Sequence, residues 1–342
     1  MLKLWSGGYI RPIKDHNGNV KPDSLSVLEK LILGGAEQWI TIRAHSRDHP
    51  VLLFLHGGPG ASQVGTQHKF LSPLEESFVV VNWDQRGAGK SYSSAIPPES
   101  MNVEQLTTDL HELMVYLRQR FDGKKVFMAG HSWGAYLGMV FAHKHPEFLH
   151  AYIGINQPVH RREEEQRSYQ FTLDKARQTG NHKALQQLQS IEFIEKGVYK
   201  SMKHLAKQRA WLTKFGGVTY QQNALRINIH SLLSSHLTWR ERFRFMKSFE
   251  FSVNHLWAEF TRCHLPSQIP RLSIPVYFIV GRHDRIVHDL CEEYYQKLEA
   301  PYKELILFEH SGHLACFEEP ANFIEWMKKI ASQILLHDEK RT

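Results

Sequence analysis

The stretch 125–145, KVFMAGHSWGAYLGMVFAHKH, decides the fold prediction. Its first six residues are predicted as a strand and its last eleven as a helix, with Ser132 in the turn between them. Flanking glycines let strand and helix approach without a Cβ clash, and the helix N-terminus favours negative charge that develops nearby. The pattern predicts Ser132 as a nucleophile. A glycine-rich turn with a solvated serine is the alternative.

Short apolar runs on both sides of this stretch predict further strands at 51–58, 78–84, 151–155, 276–281 and 304–309. Most are apolar on successive residues, which is typical of strands covered on both faces. QWITIRA (38–44) alternates instead and is predicted nearer an edge. Helical patterns lie at 103–121, 288–300 and 320–336. The alternation predicts an α/β fold with a mainly parallel central sheet flanked by helices.

Residues 156–262 interrupt this alternation, because they look helical and contain no convincing strand. We predict a helical cap there, which divides the chain into a first core part (1–155), the cap (156–262) and a second core part (263–342). The cap holds 18 Lys and Arg against 9 Asp and Glu, a net charge of +9, whereas the rest of the chain is at −2. The basicity of the protein therefore belongs to the cap.

A basic cap raises the alternative of nucleic acid or an anionic membrane as the partner, with vestigial catalysis. Scattered basic residues usually form a solvated face, so a small-molecule or short-peptide substrate is expected instead, and no nucleic acid. No run approaches the ~20 apolar residues of a membrane span, and the start lacks the apolar core of a secretory signal. The three cysteines, Cys263, Cys291 and Cys316, form no CxxC pair, which favours a cytoplasmic location.

HGGPG (56–60) follows a predicted strand and is the candidate for the second half of an oxyanion hole. Small glycines expose backbone N–H groups that larger side chains would cover. We assign one donor to the N–H of Trp133 and the other to Gly58, with Gly57 as the competing candidate. An ordinary turn would explain HGGPG equally well.

An acid and a base are expected after the nucleophile in the order Ser, Asp, His. VYFIVGRHD places Asp284 just beyond one strand, and FEHSGH places His313 in the loop after the next. Because parallel strands deliver such side chains to one edge of the sheet, His313 is predicted to take the Ser132 proton and Asp284 to orient the ring. His283 and His310 are the competing histidines.

HGGPG, DQRGAGKS (84–91), GHSWG, GRHD (281–284) and SGH (311–313) together resemble the α/β-hydrolase superfamily, and more narrowly the prolyl aminopeptidase (proline iminopeptidase) group. The resemblance covers roughly 25–155 and 265–335. It implies Ser132 as nucleophile, Asp284 as acid and His313 as base, a cap that shapes the substrate site, and no metal or organic cofactor. The expected enzyme is a serine hydrolase that releases N-terminal proline or another small residue from short peptides.

Two departures from the family pattern leave a second activity open, that of an esterase, lactonase or amidase acting on a small non-peptide substrate. A substrate with an anionic group would suit the basic cap. His131 stands where the peptidase group commonly has glycine. Those peptidases are also expected to hold the substrate amine with cap carboxylates, and the available ones match no family pattern: Glu192, Glu195, Glu241, Glu250 and Glu259. Five aromatic residues are expected to line a pocket or to form the cap core: Trp211, Tyr220, Trp239, Phe243 and Trp257.

Overall fold

The structure, a computed structural model, describes residues 8–339. Its strands in chain order are β1 (Leu25–Leu33), β2 (Ala36–Ala44), β3 (Val51–Leu55), β4 (Val79–Asp84), β5 (Val126–His131), β6 (Leu149–Ile155), β7 (Phe193–Glu195), β8 (Val198–Tyr199), β9 (Val276–Gly281) and β10 (Lys303–Phe308). Eight of them form one sheet in the order β1-β2-β4-β3-β5-β6-β9-β10. The six strands from β4 to β10 in that order are parallel, which confirms the predicted α/β fold with a mainly parallel sheet.

The antiparallel side of the sheet agrees with the prediction for β2 but contains one further strand. β2 lies second from the edge, as predicted, because β1 pairs with it along its whole length on one side and β4 pairs with it on the other. β1 was not predicted. Its residues are mostly half-exposed and include Glu29 and Lys30, so it lacks the continuous apolar run that marks the central strands.

Helices cover both faces of the sheet. In chain order they are α1 (Val64–Leu71), α2 (Val103–Arg120), α3 (Trp133–Lys144), α4 (Arg161–Gln178), α5 (His182–Gln189), α6 (Met202–Lys214), α7 (Ala224–Leu232), α8 (Trp239–Phe260), α9 (Leu265–Gln268), α10 (His288–Lys297), α11 (Ala315–Glu318) and α12 (Pro320–Glu339). Along β3, Val51, Leu53 and Leu55 pack into one apolar cluster with α2, α3 and α10. Leu52 and Phe54 pack into a second cluster with α12. Two covered faces explain why the central strands are apolar at successive residues.

Helices α4 to α8 lie between β6 and β9, where no strand of the main sheet intervenes among the described residues. The prediction that this segment contains no strand was wrong, because β7 and β8 form a short antiparallel hairpin. The division into core parts 1–155 and 263–342 and a cap stays a prediction; below, "cap" denotes 156–262. Among the residues described, none of the helices combines the length and apolarity needed to cross a membrane.

Candidate active site

Ser132 lies in the tight turn between β5 and α3, with φ of 52° and ψ of −115°. A non-glycine residue at positive φ is strained and persists only where its surroundings hold it. A Cβ on Gly130 would lie 2.3 Å from the carbonyl oxygen of Gly134, and one on Gly134 would lie 2.2 Å from that of Leu55. Backbone packing therefore requires both glycines of GHSWG, and the Ser132 side chain remains partly exposed.

The structure brings the three predicted catalytic side chains together at the carboxyl ends of the parallel strands. Ser132 Oγ lies 2.9 Å from His313 Nε2, and His313 Nδ1 lies 2.8 Å from Asp284 Oδ2. Nδ1–H donates to the carboxylate in this arrangement, which leaves Nε2 free to accept the proton of the serine hydroxyl. The geometry is that of a nucleophile with its general base and an orienting acid.

Asp284 is fully buried and accepts three further hydrogen bonds. The N–H of Ile286 lies 2.8 Å away, that of Val287 3.3 Å, and the side-chain amide of Asn156 2.8 Å. Burial opposes ionisation of Asp284, but the adjacent His313 and these donors outweigh it and hold the pKa of the carboxyl below its ordinary value. Asp284 is therefore charged at neutral pH and fixes the orientation of the His313 ring.

The two predicted oxyanion donors differ in how they are made available. Trp133 is the first residue of α3, so its N–H has no partner within the helix. Gly58 has a φ of 119°, which only glycine adopts readily, and its N–H has no acceptor among residues 8–339. The N–H of Gly57 donates instead to the side-chain oxygen of Gln63 at 3.2 Å. The geometry favours Gly58 over Gly57.

Gln85, which the sequence analysis did not single out, connects the two halves of this site. Its side-chain oxygen accepts from the Trp133 indole N–H at 2.9 Å, and its side-chain nitrogen donates to the carbonyl of His56 at 3.0 Å. Its backbone N–H donates to His56 Nε2 at 3.2 Å. One buried glutamine thus holds the HGGPG loop in place against the residue that follows the nucleophile.

Asp84 and Arg86, on either side of Gln85 in the chain, hold the 84–91 loop in place. The sequence of residues 82–91, NWDQRGAGKS, predicts a loop beside the active site that Asp84 and Arg86 fix by local hydrogen bonds. Asp84 does so, since it accepts from the N–H of Lys90 at 2.8 Å. The bonds of Arg86 are not local, because it forms a bidentate pair with Asp109 on α2 at 2.7 and 2.8 Å and also donates to the carbonyl of Gly34.

His131, which precedes Ser132, lies buried beside His313. Its Nε2 is 2.7 Å from the carbonyl oxygen of His313, and its Nδ1 is 3.1 Å from the side-chain nitrogen of Gln63. Burial, with the neighbouring His313 ring, lowers the pKa of His131 to about 3. It is therefore a neutral ring that donates to the backbone of His313 and accepts from Gln63.

The sequence analysis did not identify Glu318, although its carboxyl group holds the loop that contains His313. One oxygen of its carboxyl accepts from the N–H groups of Gly312 (2.9 Å) and Leu314 (3.2 Å), which flank His313. The other accepts from the N–H of Tyr220 in the cap at 2.6 Å. Burial raises the pKa of Glu318 to about 7, even though all three donors favour the charged form.

The competing histidines His283 and His310 do not join the catalytic group. Both rings stack instead with the ring of Tyr220, at centroid distances of 4.0 Å for His283 and 6.0 Å for His310. Within the described residues, no group of three or more His, Cys, Asp or Glu side chains could hold a metal ion.

Helix α8 packs directly on the glycine-rich loops. A Cβ on Gly60 would lie 2.4 Å from the Cβ of Ser252, whose hydroxyl donates to the carbonyl of Gly87 at 3.0 Å. Near the start of the same helix, Glu241 accepts from the buried Lys90 ammonium at 2.8 and 2.9 Å. The cap is therefore fastened to both HGGPG and the 84–91 loop.

The cap carboxylates considered for substrate recognition have other roles. Glu241 pairs with Lys90, and Glu259 accepts from the N–H of Val103 at 2.8 Å. Glu192 pairs with Lys200, Glu195 pairs with Arg162, and Glu250 is exposed. Two glutamates that the sequence analysis did not consider, Glu164 and Glu165, are buried against Arg161.

Comparison with known proteins gives the family. A model described as the alpha/beta hydrolase fold matches residues 50–320. A probable aminopeptidase of Bacillus subtilis, YbaC, is 33% identical over 90% of this chain and 97% of its own length. A proline iminopeptidase of Saccharolobus solfataricus is 21% identical over 83% of this chain and 85% of its own length.

Solved structures are similar in fold at low sequence identity. VinJ has a TM-score of 0.65 at 20% identity, over 91% of this chain and 99% of that one. A proline iminopeptidase of Mycobacterium smegmatis has a TM-score of 0.60 at 17% identity, over 91% of this chain and 100% of that one. The parallel sheet, the strained serine turn and the family match over most of the length lead to one conclusion: the chain belongs to the α/β-hydrolase fold family and, within it, resembles the prolyl aminopeptidases.

Proposed function

We propose that this chain is a serine hydrolase that acts by acyl transfer, and that it releases N-terminal proline or another small residue from short peptides. One observation carries the mechanism: the hydrogen-bonded series from Ser132 Oγ through the His313 ring to Asp284, at 2.9 and 2.8 Å. A partly exposed serine beside a buried, oriented imidazole is what nucleophilic catalysis requires.

The reaction follows from this geometry. As Ser132 Oγ attacks the substrate carbonyl, His313 Nε2 takes the hydroxyl proton, and the N–H groups of Trp133 and Gly58 stabilise the oxyanion. His313 then returns the proton to the leaving amine, which departs and leaves an acyl-enzyme. A water molecule then attacks that ester while giving a proton to His313, and His313 passes the proton to Ser132 Oγ as the acid product leaves. Asp284 stays ionised throughout and stabilises the imidazolium.

The substrate assignment is supported by the relatives and by the motifs that the chain presents around the nucleophile. The Bacillus subtilis relative is named a probable aminopeptidase, and the Saccharolobus solfataricus relative a proline iminopeptidase. Two of the motifs that carry the resemblance lie beside Ser132, because Gln85 of the 84–91 loop bonds to His56 of HGGPG and to Trp133, the residue after Ser132. We also propose a cytoplasmic location, since Cys263, Cys291 and Cys316 are free and buried, as suits a reducing compartment.

One observation favours a second candidate, an esterase or amidase on a small non-peptide substrate. Four of the five cap glutamates listed above are bound to a cation or a backbone N–H, and the remaining one, Glu250, is exposed. A substrate that needs no carboxylate for its recognition fits such a cap.

Three substrates separate the candidates: proline β-naphthylamide, its N-acetylated form, and p-nitrophenyl acetate. We expect cleavage of proline β-naphthylamide and at least about a tenfold loss of kcat/KM on acetylation, because a buried site built for a free amine rejects its blocked analogue. Cleavage of the ester together with no cleavage of the amide would contradict the aminopeptidase assignment and support the second candidate. Equal cleavage of the free and acetylated amides would also contradict it.

A further inference from the structure

The outward face of α8 exposes large apolar side chains. Phe243 is 85% exposed, Met246 66% and Trp239 46%. Because residues three and four apart share one face of a helix, these three form a single stripe, called here the outer apolar stripe. The sequence analysis expected Trp239 and Phe243 in a pocket or in the cap core, and for Phe243 both expectations were wrong.

Basic side chains border this stripe. Arg240, Arg244 and Lys247 are exposed and lie along one side of it, by the helical periodicity of 3.6 residues per turn. Arg242 lies on the other side, with its guanidinium 4.9 Å from the Trp239 ring. Glu250 is exposed one turn beyond Met246, at the far end of the stripe. The face is therefore apolar in its middle and cationic along its sides.

Helix α7 and the residue that follows it also expose large apolar side chains. Leu225 is 70% exposed and Leu233 63%, and Arg226 is exposed between them. Arg242 donates to the carbonyl of Ser234 at 2.9 Å, which ties the end of α7 to the first turn of α8. Exposed apolar side chains thus occur on two cap elements that a hydrogen bond joins.

The helix cannot turn the stripe inward, because its opposite face is already bound to the core. Ser252 packs against Gly60 and donates to Gly87, and Glu241 pairs with Lys90. Thr238 and Glu241 also form a capping box that fixes where the helix begins. Exposed apolar patches with a polar border mark surfaces that meet a partner.

We propose that the outer apolar stripe and its basic border dock this protein onto an anionic phospholipid membrane. An amphipathic helix with large apolar side chains on one side and Lys or Arg beside them lies in the membrane interface, with its apolar face in the acyl boundary. The cations then meet the lipid phosphates, which attract each Lys or Arg near the surface. The proposal concerns a surface away from Ser132 and does not rest on the proposed function.

Charge argues against the other occupants of this face. In a symmetric dimer the same patch meets itself, which would bring Arg240, Arg244 and Lys247 of two copies together. A nucleic acid would satisfy the cations, and its bases could stack on the Phe243 and Trp239 rings. It offers no apolar phase, however, for Met246 and Leu233, which are 66% and 63% exposed. Anionic lipid satisfies both the charges and the apolar side chains.

Co-sedimentation with vesicles tests the proposal. Full-length protein is mixed with vesicles of phosphatidylcholine alone, or of phosphatidylcholine with phosphatidylglycerol, at low and at high salt. We expect sedimentation with the anionic vesicles only, and weaker sedimentation at high salt. Binding to neither vesicle, or equal binding to both at either salt concentration, would overturn the proposal.

Two double variants separate the apolar and the charged contributions. Phe243→Ser with Met246→Ser is expected to lower partitioning onto anionic vesicles about tenfold or more. Arg240→Ser with Arg244→Ser is expected to lower it about fivefold for each charge removed at low salt. The matched controls are Ile32→Ser with Ile194→Ser, which are 63% and 71% exposed elsewhere, and Lys183→Ser with Lys203→Ser on α5 and α6.

The controls are expected to bind as the wild type does, and all four variants to keep its thermal unfolding midpoint, which shows that they fold. An equal loss in the control variants would overturn the proposal. So would conversion of a wild-type dimer into a monomer by the Phe243 and Met246 substitutions in analytical ultracentrifugation. Salt-sensitive binding of duplex DNA that the Arg240 and Arg244 substitutions abolish, with no vesicle binding, would assign the face to nucleic acid instead.

Discussion

The loops at the strand ends and the helices of the cap use polar residues in opposite ways. At the strand ends, buried polar side chains bond to the backbone around them: Gln85 to HGGPG, Glu318 to the residues on either side of His313, and Asp284 to the two residues before α10. In the cap, most charges are exposed, and the carboxylates near the core are bound to lysine or to backbone N–H groups. The comparison separates a preorganised catalytic centre from a covering layer whose inner side is fastened and whose outer side is open.

The largest effect is expected at the nucleophile. Ser132→Ala removes the attacking oxygen, so kcat should fall by about 10⁴-fold or more while the fold is retained. Turnover of the best substrate and labelling by a fluorophosphonate measure it, and the exposed Ser94→Ala is the control. Residual activity above about a thousandth of the wild type would argue against Ser132 as the nucleophile.

Gln85→Ala tests whether one buried amide holds the oxyanion loop. It leaves the Trp133 indole and the His56 carbonyl without their partner, so a small displacement of the Gly58 N–H is expected to lower kcat/KM about 10²-fold. Steady-state kinetics on the preferred substrate measure the change. Gln170→Ala, on the exposed side of α4, should leave kinetics unchanged. Wild-type kinetics in Gln85→Ala would mean that the loop holds its shape without the amide.

Glu318→Ala removes the acceptor of three N–H groups around His313, and we expect kcat to fall about tenfold with little change in KM. The neighbouring Glu319→Gln is the control, since Glu319 accepts from His310 and Asn322 but not beside His313. An equal loss of kcat in the control would show that the segment, not Glu318, is responsible.

The pH dependence of the free energy of unfolding gives a second test of Glu318. The pKa of Glu318 is raised from 4.5 to about 7 in the folded state, so its contribution to stability is complete below 4.5 and is lost as the pH rises through about 7. Glu318→Gln stays neutral. The free energy of unfolding of the variant relative to the wild type should therefore increase between about pH 5 and about pH 8 in urea titrations. A difference that does not vary with pH would contradict the raised pKa.

The smallest effect is expected where the cap is fastened. Glu241→Ala breaks the pair with the buried Lys90 and the capping box of α8, at a cost of about 2 kcal/mol in the free energy of unfolding. Urea unfolding measures it. Glu192→Ala breaks the exposed pair with Lys200 and should cause no measurable change. A similar loss in both variants would remove the distinction between the inner and outer sides of the cap.

The sequence predicted the features that leave a local pattern and missed those that depend on how distant parts of the chain pack together. β3, β5 and β9 were predictable because burial on both faces leaves a continuous apolar run, and Ser132, Asp284 and His313 because strand ends bring such residues to one edge. Gln85 was not, because its partners, the Trp133 indole and the His56 backbone, are distant in sequence. Glu318 was not, because its partners are backbone N–H groups, which any residue type supplies. The edge strand β1 carries charged residues that conceal it. The outward direction of Phe243 depends on how α8 packs, which its own periodicity does not determine.

The burial of the three cysteines has a practical consequence. Burial raises the pKa of the Cys263, Cys291 and Cys316 thiols well above the ordinary value, so little thiolate forms at neutral pH and reagents cannot reach them. A single cysteine introduced on the surface, such as Met246→Cys, would thus react selectively with a maleimide dye. An environment-sensitive dye at that position would report the arrival of α8 at a bilayer in real time, without deletion of any native thiol.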